Sequence, residues 1–215
     1  MVSARIRAHL IDVDCAADPA EPDGFNDGTN NVKAEDAAEL DQFVWVDDET
    51  DQPWMKGGSY LVTRRIRMLI ESWDADYLAD QETIFGRRKD TGAPLTGRSE
   101  FDLVDLSAKT PNGSLVIDAD AHIRLAAPKS HGGQRILRRG YSYTDGTDPQ
   151  TGQLDAGLFF IAFQKDPRVQ FVPIQRMLGQ RDLLNEYIKH VGTGLFAVPP
   201  GLGKAGDWYG KSLFT

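Results

Sequence analysis

The sequence predicts an α+β domain built on a largely antiparallel sheet, and three observations predict it. Apolar runs of strand length recur at residues 59–67, 136–144, 157–165 and 194–198. The stretches between them carry apolar residues near a 3.6 period, without the strict strand–helix alternation that builds a parallel sheet. The chain's 215 residues are 40% hydrophobic and 9% aromatic, enough to bury a real core in one ample domain or two small ones.

Taken in order, residues 1–23 are poorly patterned, and the run from Ala16 to Asp23 has the composition of a solvated loop. Gly24-Phe25-Asn26-Asp27-Gly28-Thr29-Asn30-Asn31 is a dense turn signal. The acid-rich stretch after it, to residue 55, reads as loop. Gly57-Gly58 then opens a strand whose alternation at Arg65-Ile66-Arg67-Met68 fits one buried face. Met68, Ile70, Trp73 and Tyr77 are spaced for a helix over 68–78, and a second helix follows over 80–89, stopped by Gly92 and Pro94. Residues 91–117 read mostly as loop. After the strands at 136–144 and 157–165, Asp166-Pro167 opens a helix carrying Val169, Val172, Ile174, Met177 and Leu178. Residues 183–189 form another short helix before the last strand, and no internal repeat is visible.

Composition excludes several classes. With 24 basic and 32 acidic side chains the net charge is −8, the opposite of a nucleic-acid-binding footprint. The acidity belongs to the front: residues 1–55 hold 14 acidic and 3 basic side chains. A single cysteine, Cys15, excludes an internal disulfide framework and Cys-rich metal sites. No apolar run approaches the roughly 18 residues of a membrane span, and Met1 to Leu10 has no following apolar segment of the length a signal peptide needs. The expectation is a soluble chain, cytoplasmic as written.

Four histidines are present, His9, His122, His131 and His190, and no pair has metal-helix spacing. A lone histidine is ordinarily a surface or structural residue. His122 stands out because it follows Asp118-Ala119-Asp120-Ala121 and precedes the apolar Ile123-Arg124-Leu125-Ala126. One neutral imidazole is a sufficient protein ligand for haem iron, so composition permits a haem site without suggesting one. Asp27 has the ordinary reading of a solvated turn residue. Arg138-Arg139 lies within a strand, where adjacent residues face opposite sides, so one guanidinium points inward and needs an anion. A structural carboxylate and a ligand anion are equally open as that partner.

Several segments together resemble the DyP-type (dye-decolorizing) haem peroxidases, in the branch that includes deferrochelatase/peroxidases. They begin with Gly24-Phe25-Asn26-Asp27-Gly28-Thr29, a GxxDG pattern, followed by Phe43-Val44-Trp45-Val46 and Gly58-Ser59-Tyr60-Leu61-Val62-Thr63-Arg64-Arg65-Ile66-Arg67-Met68. Ile84-Phe85-Gly86-Arg87, Gly92-Ala93-Pro94-Leu95-Thr96-Gly97, Ala121-His122-Ile123-Arg124-Leu125-Ala126, Ile136-Leu137-Arg138-Arg139-Gly140-Tyr141-Ser142-Tyr143 and Gly157-Leu158-Phe159-Phe160-Ile161-Ala162-Phe163-Gln164 complete the series. GxxDG alone is weak; this many blocks in order are specific.

The resemblance implies the second half of a two-half fold, a ferredoxin-like antiparallel sheet with packed helices of the dimeric α+β barrel type. Residues 24–215 would form the haem-binding domain, with 1–23 an unmatched irregular segment. It implies one haem b per chain, with His122 as proximal iron ligand and Asp182 as the carboxylate accepting the other imidazole N–H. Asp27 matches the distal acid–base aspartate and Arg138 the distal arginine. Gly28-Thr29-Asn30 and Ala127-Pro128-Lys129 fall where family members line the haem, with Lys129 in place of a usual Arg and Ala127 in place of a common Asn. The implied activity is reduction of hydrogen peroxide through a ferryl stage with oxidation of dyes, phenolics or similar aromatic donors. The alternatives are a haem-binding or iron-releasing protein without turnover, and an inactive ferredoxin-like fragment. No nucleic-acid partner is expected and a homo-oligomer is possible; full-length relatives are often exported by the twin-arginine route or encapsulated.

Overall fold

The computed structural model describes Phe25 and residues 29–214. Four long strands form its centre: β1 (Ser59–Met68), β2 (Leu137–Thr147), β3 (Leu154–Gln164) and β4 (Ile188–Val198). They lie in the order β2-β3-β1-β4, with every neighbouring pair antiparallel. Five α-helices accompany them among the described residues: α1 (Ala37–Phe43), α2 (Ile70–Trp73), α3 (Leu78–Phe85), α4 (His122–Leu125) and α5 (Phe171–Arg181). Helices between β1 and β2 and again between β3 and β4 give the split βαβ arrangement of a ferredoxin-like α+β fold. No described helix is long and apolar enough to cross a membrane.

Several elements differ from the sequence reading. Helix α1 stands in the stretch read as loop, where Asp36 caps it by accepting the Glu39 N–H at 3.0 Å. The helix expected over 68–78 is one turn only. Met68 is the last residue of β1, paired with Ile188, and Leu69 N–H donates to the Tyr187 carbonyl. Its apolar spacing comes from a strand end and a turn that feed the same core, not from one helix face. α3 stops at Gly86, which holds the left-handed φ of +82° that favours glycine, so the predicted extension to residue 89 does not form.

Residues 167–170 are a turn and α5 starts at Phe171, with Pro173 at its third position, where a missing N–H costs nothing. The stretch over 183–189 is a 3₁₀ turn, Leu183–Glu186, followed directly by β4. β4 is therefore eleven residues rather than five. Its first half, Lys189-His190-Val191-Gly192-Thr193, is an exposed edge without the alternation that marks a half-buried strand.

Two apolar clusters anchor the sheet. Phe25, Met68, Trp73, Ile84 and Leu184 form one, with Phe25 stacked on Phe85 at 4.2 Å and Trp73 edge-on to Tyr187 at 5.0 Å. Val32, Leu40, Phe43 and Val44 form the other, against Leu137 and Phe163. The fully buried Gln170 ties the second cluster to the loop before β2: its Nε2 donates to the carbonyls of Phe43 and Arg135.

Candidate haem site

Side chains alternate along a strand, so one face of the sheet carries Arg64, Ile66 and Met68 from β1, Arg138 from β2, Leu158 and Phe160 from β3, and Ile188 and His190 from β4. These residues wall one side of a cavity of about 260 Å³. Phe85, His122, Ile123 and Ala126 close it from α3 and α4, and Ile174, Gln175 and Leu178 from α5.

His122 is the first residue of α4. Its Nδ1 lies 2.6 Å from Asp182 Oδ2, across sixty residues of sequence. A carboxylate accepts only, so Nδ1 carries the proton and donates it. The Asp182 side chain is only 3% exposed. It ends α5 and begins the following 3₁₀ turn, where its other oxygen accepts the Leu184 N–H at 2.9 Å. Arg124, two residues after His122, donates to the carbonyls of Asp118, Leu106 and Ile117 and fixes the long preceding loop against α4. His131 Nε2 donates to the Leu125 carbonyl at 2.6 Å, the structural role ordinary for a lone histidine.

Across the cavity, Arg138 points in while Arg139 points out, where its Nε donates to the Tyr141 hydroxyl. The Arg138 backbone is clamped by Asn31, whose Oδ1 accepts its N–H at 2.9 Å and whose Nδ2 donates to its carbonyl at 2.7 Å. Arg135 adds hydrogen bonds to the carbonyls of Asn30 and Asn31 and an ion pair with Glu39. Thr29 and Asn30, the residues directly after the GxxDG motif, thereby line the cavity beside Arg138.

Of the residues singled out from sequence, Thr29, Asn30, His122, Ala127, Pro128, Arg138 and Asp182 all line this one cavity. Lys129 is exposed and is not among the lining residues. Asp27 and Gly28 lie outside the described residues. Sequence reading passed over Arg64, Arg87, Arg135, Phe171 and His190, which also line it. Arg64 was legible, since it shares the strand parity of Ile66 and Met68. His190 was not. The ladder between β1 and β4 slips by one residue after Arg65↔Gly192, so that His190 rather than Val191 stands opposite Ile66 and on the cavity face.

Burial lowers the proton affinities of the Arg64 and Arg87 guanidinium groups from the ordinary arginine value. His190 is lowered to about 4, first by burial of its cavity side and then by the charge of Arg64. Arg87 spends its Nη1 on the carbonyls of Gly92 and Glu100. Among the described residues no three His, Cys, Asp or Glu side chains gather to hold a bare metal ion. One carboxylate-oriented imidazole, apolar walls and several arginines fit a macrocycle that brings its own iron donors and its own carboxylates.

The family described as Dyp-type peroxidase, C-terminal, matches residues 18–203. A dye-decolorizing peroxidase of Thermobifida fusca is 46% identical over 200 residues, covering 92% of this chain and 46% of that protein. A deferrochelatase of Escherichia coli is 42% identical over 193 residues, covering 88% of this chain and 45% of its own length. Among solved structures, DtpA from Streptomyces lividans, determined as an oxyferrous complex, superposes with a TM-score of 0.85 at 40% identity, covering 94% of this chain and 55% of that one. A DyP-type peroxidase from Streptomyces coelicolor gives a TM-score of 0.85 at 41% identity over 94% of this chain and 55% of that one. The chain thus spans about half the length of the proteins it matches.

Proposed function

The chain belongs to the Dyp-type peroxidase family, and from that premise we propose that it is a haem b peroxidase that reduces hydrogen peroxide at the expense of dyes, phenolics or similar aromatic donors. The observation that carries the reading is the His122–Asp182 pair facing Arg138 across one largely apolar cavity. Haem b, when bound, supplies the iron and the two-electron redox chemistry that peroxide reduction needs.

The chain's own residues supply binding, orientation and proton handling. His122 would ligate iron through Nε2, because Asp182 keeps the proton on Nδ1 and fixes the ring. The same contact increases the basicity of the imidazole and so its electron donation. Arg138, held at the backbone by Asn31, would offer positive charge where negative charge develops as the peroxide O–O bond breaks. Asp27 would take the proton from the near peroxide oxygen and return it to the departing one. Its neighbours Phe25, Thr29 and Asn30 all line the cavity, which supports that placement. Thr29, Asn30, Ala127 and Pro128 would border the haem edge, with Gly28 and Lys129 as the remaining members of those two segments.

Titration of the purified chain with haemin tests the reading. The expected result is a Soret band that is lost in His122→Ala; a folded sample that takes up no haemin would sink it. In the loaded protein, Asp27→Asn and Arg138→Leu should keep the band and slow the reaction with peroxide by roughly 10²-fold or more, the scale of a lost acid–base or charge-stabilising group. Unchanged stopped-flow rates would move the chemistry elsewhere. Anaerobic release of iron, without dye oxidation, would instead assign the activity that the name deferrochelatase describes.

A further inference from the structure

We propose that Arg64 is the receptor for a carboxylate at the end of the cavity nearest the start of α5, a site separate from the His122–Asp182 pair. Arg64 projects from β1 beside Ile66 and Met68 into the cavity, with its guanidinium 5.8 Å from the centre of the Phe171 ring. Its Nη1 is buried and has no hydrogen-bond partner. Its Nε has one long contact, 3.4 Å to the Thr193 hydroxyl. No carboxylate among the described residues reaches it.

The contrast with neighbouring arginines is informative. Arg135 is paired with Glu39, and Arg87 donates to two carbonyls. Arg64 is half-buried, and a guanidinium nitrogen buried without a partner or counter-ion is costly, because its desolvation is uncompensated. Proteins keep such a group where a ligand completes it, and a guanidinium fork matches a carboxylate.

The surroundings specify the ligand further. His190, brought onto this face by the slip in the β1–β4 ladder, stays neutral above about pH 4. With Thr193 it offers hydrogen bonding without adding charge. Phe160 and Phe171, 6.3 Å apart, form an aromatic wall beside the cation. One positive charge, two neutral polar groups and two rings suit a monocarboxylate on an aromatic or other planar apolar body. That chemistry has two sources: a free aromatic carboxylate, as on an anionic electron donor, or a carboxylate of the macrocycle. Only the second rests on the haem reading above.

Benzoate is the probe, with benzamide as its uncharged counterpart, titrated calorimetrically into the chain without haem. Benzoate should bind in preference to benzamide, and Arg64→Gln should weaken it by about tenfold or more, the loss of at least one charge-assisted hydrogen bond. Arg64→Lys should retain part of the affinity, and circular dichroism establishes that both variants fold. Repeating the titration on haemin-loaded protein separates the sources. If benzoate still binds and Arg64→Gln leaves haemin affinity unchanged, the site serves a free carboxylate. If haemin blocks benzoate and Arg64→Gln weakens haemin, it serves the macrocycle. Equal benzoate binding by wild type and Arg64→Gln, with unchanged haemin affinity, would overturn the assignment. Failure of haemin uptake alone would remove the peroxidase reading and leave the benzoate result standing.

Discussion

Asp182 divides two tasks between two oxygens: Oδ2 takes the His122 Nδ1–H and Oδ1 accepts the Leu184 N–H. The first orients an imidazole and the second starts the turn that leads into β4, so the carboxylate fixes its own position while fixing the ring. Asp182→Asn removes the negative charge and keeps one acceptor oxygen, enough for one of the two tasks and not both. Haemin affinity should fall by about 10–100-fold, the usual consequence of losing a partner behind a metal ligand, and the buried N–H left without an acceptor should cost about 1–3 kcal/mol of stability. Equilibrium haemin titration beside a melting curve checks both halves. At this scale His122 and Arg138 were legible inside ordered motifs, and Asp182 by its place just ahead of Leu183-Leu184-Asn185-Glu186-Tyr187. Arg64 lay within such a motif and its inward parity was legible, but its meaning depends on a buried atom left without a partner, which no motif encodes.

The elements that carry these residues were legible where burial enforces periodicity and illegible where it does not. β1 and β3 are central strands, and their apolar patterns place them to within a few residues. β4 is an edge strand with two glycines and several exposed polar residues, and only its last five positions read as strand. α2 misled in the opposite direction, since Met68 and Trp73 belong to one cluster contributed by two elements. The join between α3 and α4 shows how tightly elements constrain the site. At Gly86, φ is +82°, and an added Cβ would come within 2.4 Å of Ile123 Cγ2 and 3.0 Å of Ile117 Cγ2. Ile123 follows His122 directly. Gly86→Ala should therefore destabilise the fold by about 2–4 kcal/mol, combining left-handed strain with overpacking. It should also weaken haemin binding, because relief of the clash moves α4. A denaturation curve and a haemin titration on the same variant check this; a stable variant with ordinary haemin affinity would show that α4 tolerates displacement.

Over the whole molecule, part of the acidic front noted in the sequence is paired, among the described residues, across long sequence separations. Glu39 meets Arg135, Asp47 meets Lys165 at 2.8 Å, and Asp51 lies 3.8 Å from Arg168. Charge segregated along the chain is thus interleaved in space, which no count of residues reveals. It also sets the acid response in two windows. His190 has its folded value lowered from 6.5 to about 4. As pH falls through 6.5 the unfolded chain binds a proton that the folded chain refuses, so stability declines from there to about pH 4 and the decline is complete below it. Asp47, held down mainly by Lys165, Asp148, mainly by Arg67, and Asp166, mainly by Arg168, lie below the ordinary aspartate value. Their contribution is intact above that value and is lost as pH falls through their lower folded values, in the second window. Asp47 is half-exposed, so salt should shrink its share of the second window, whereas Asp148 and Asp166 are more than two-thirds buried and should respond less. The thermal midpoint of the chain without haem should therefore fall in two stages on acidification. His190→Gln should flatten the stage between pH 6.5 and 4 and leave the more acidic one in place. A variant whose melting profile retains both stages would show that the imidazole beside Arg64 titrates as freely in the folded chain as in the unfolded one.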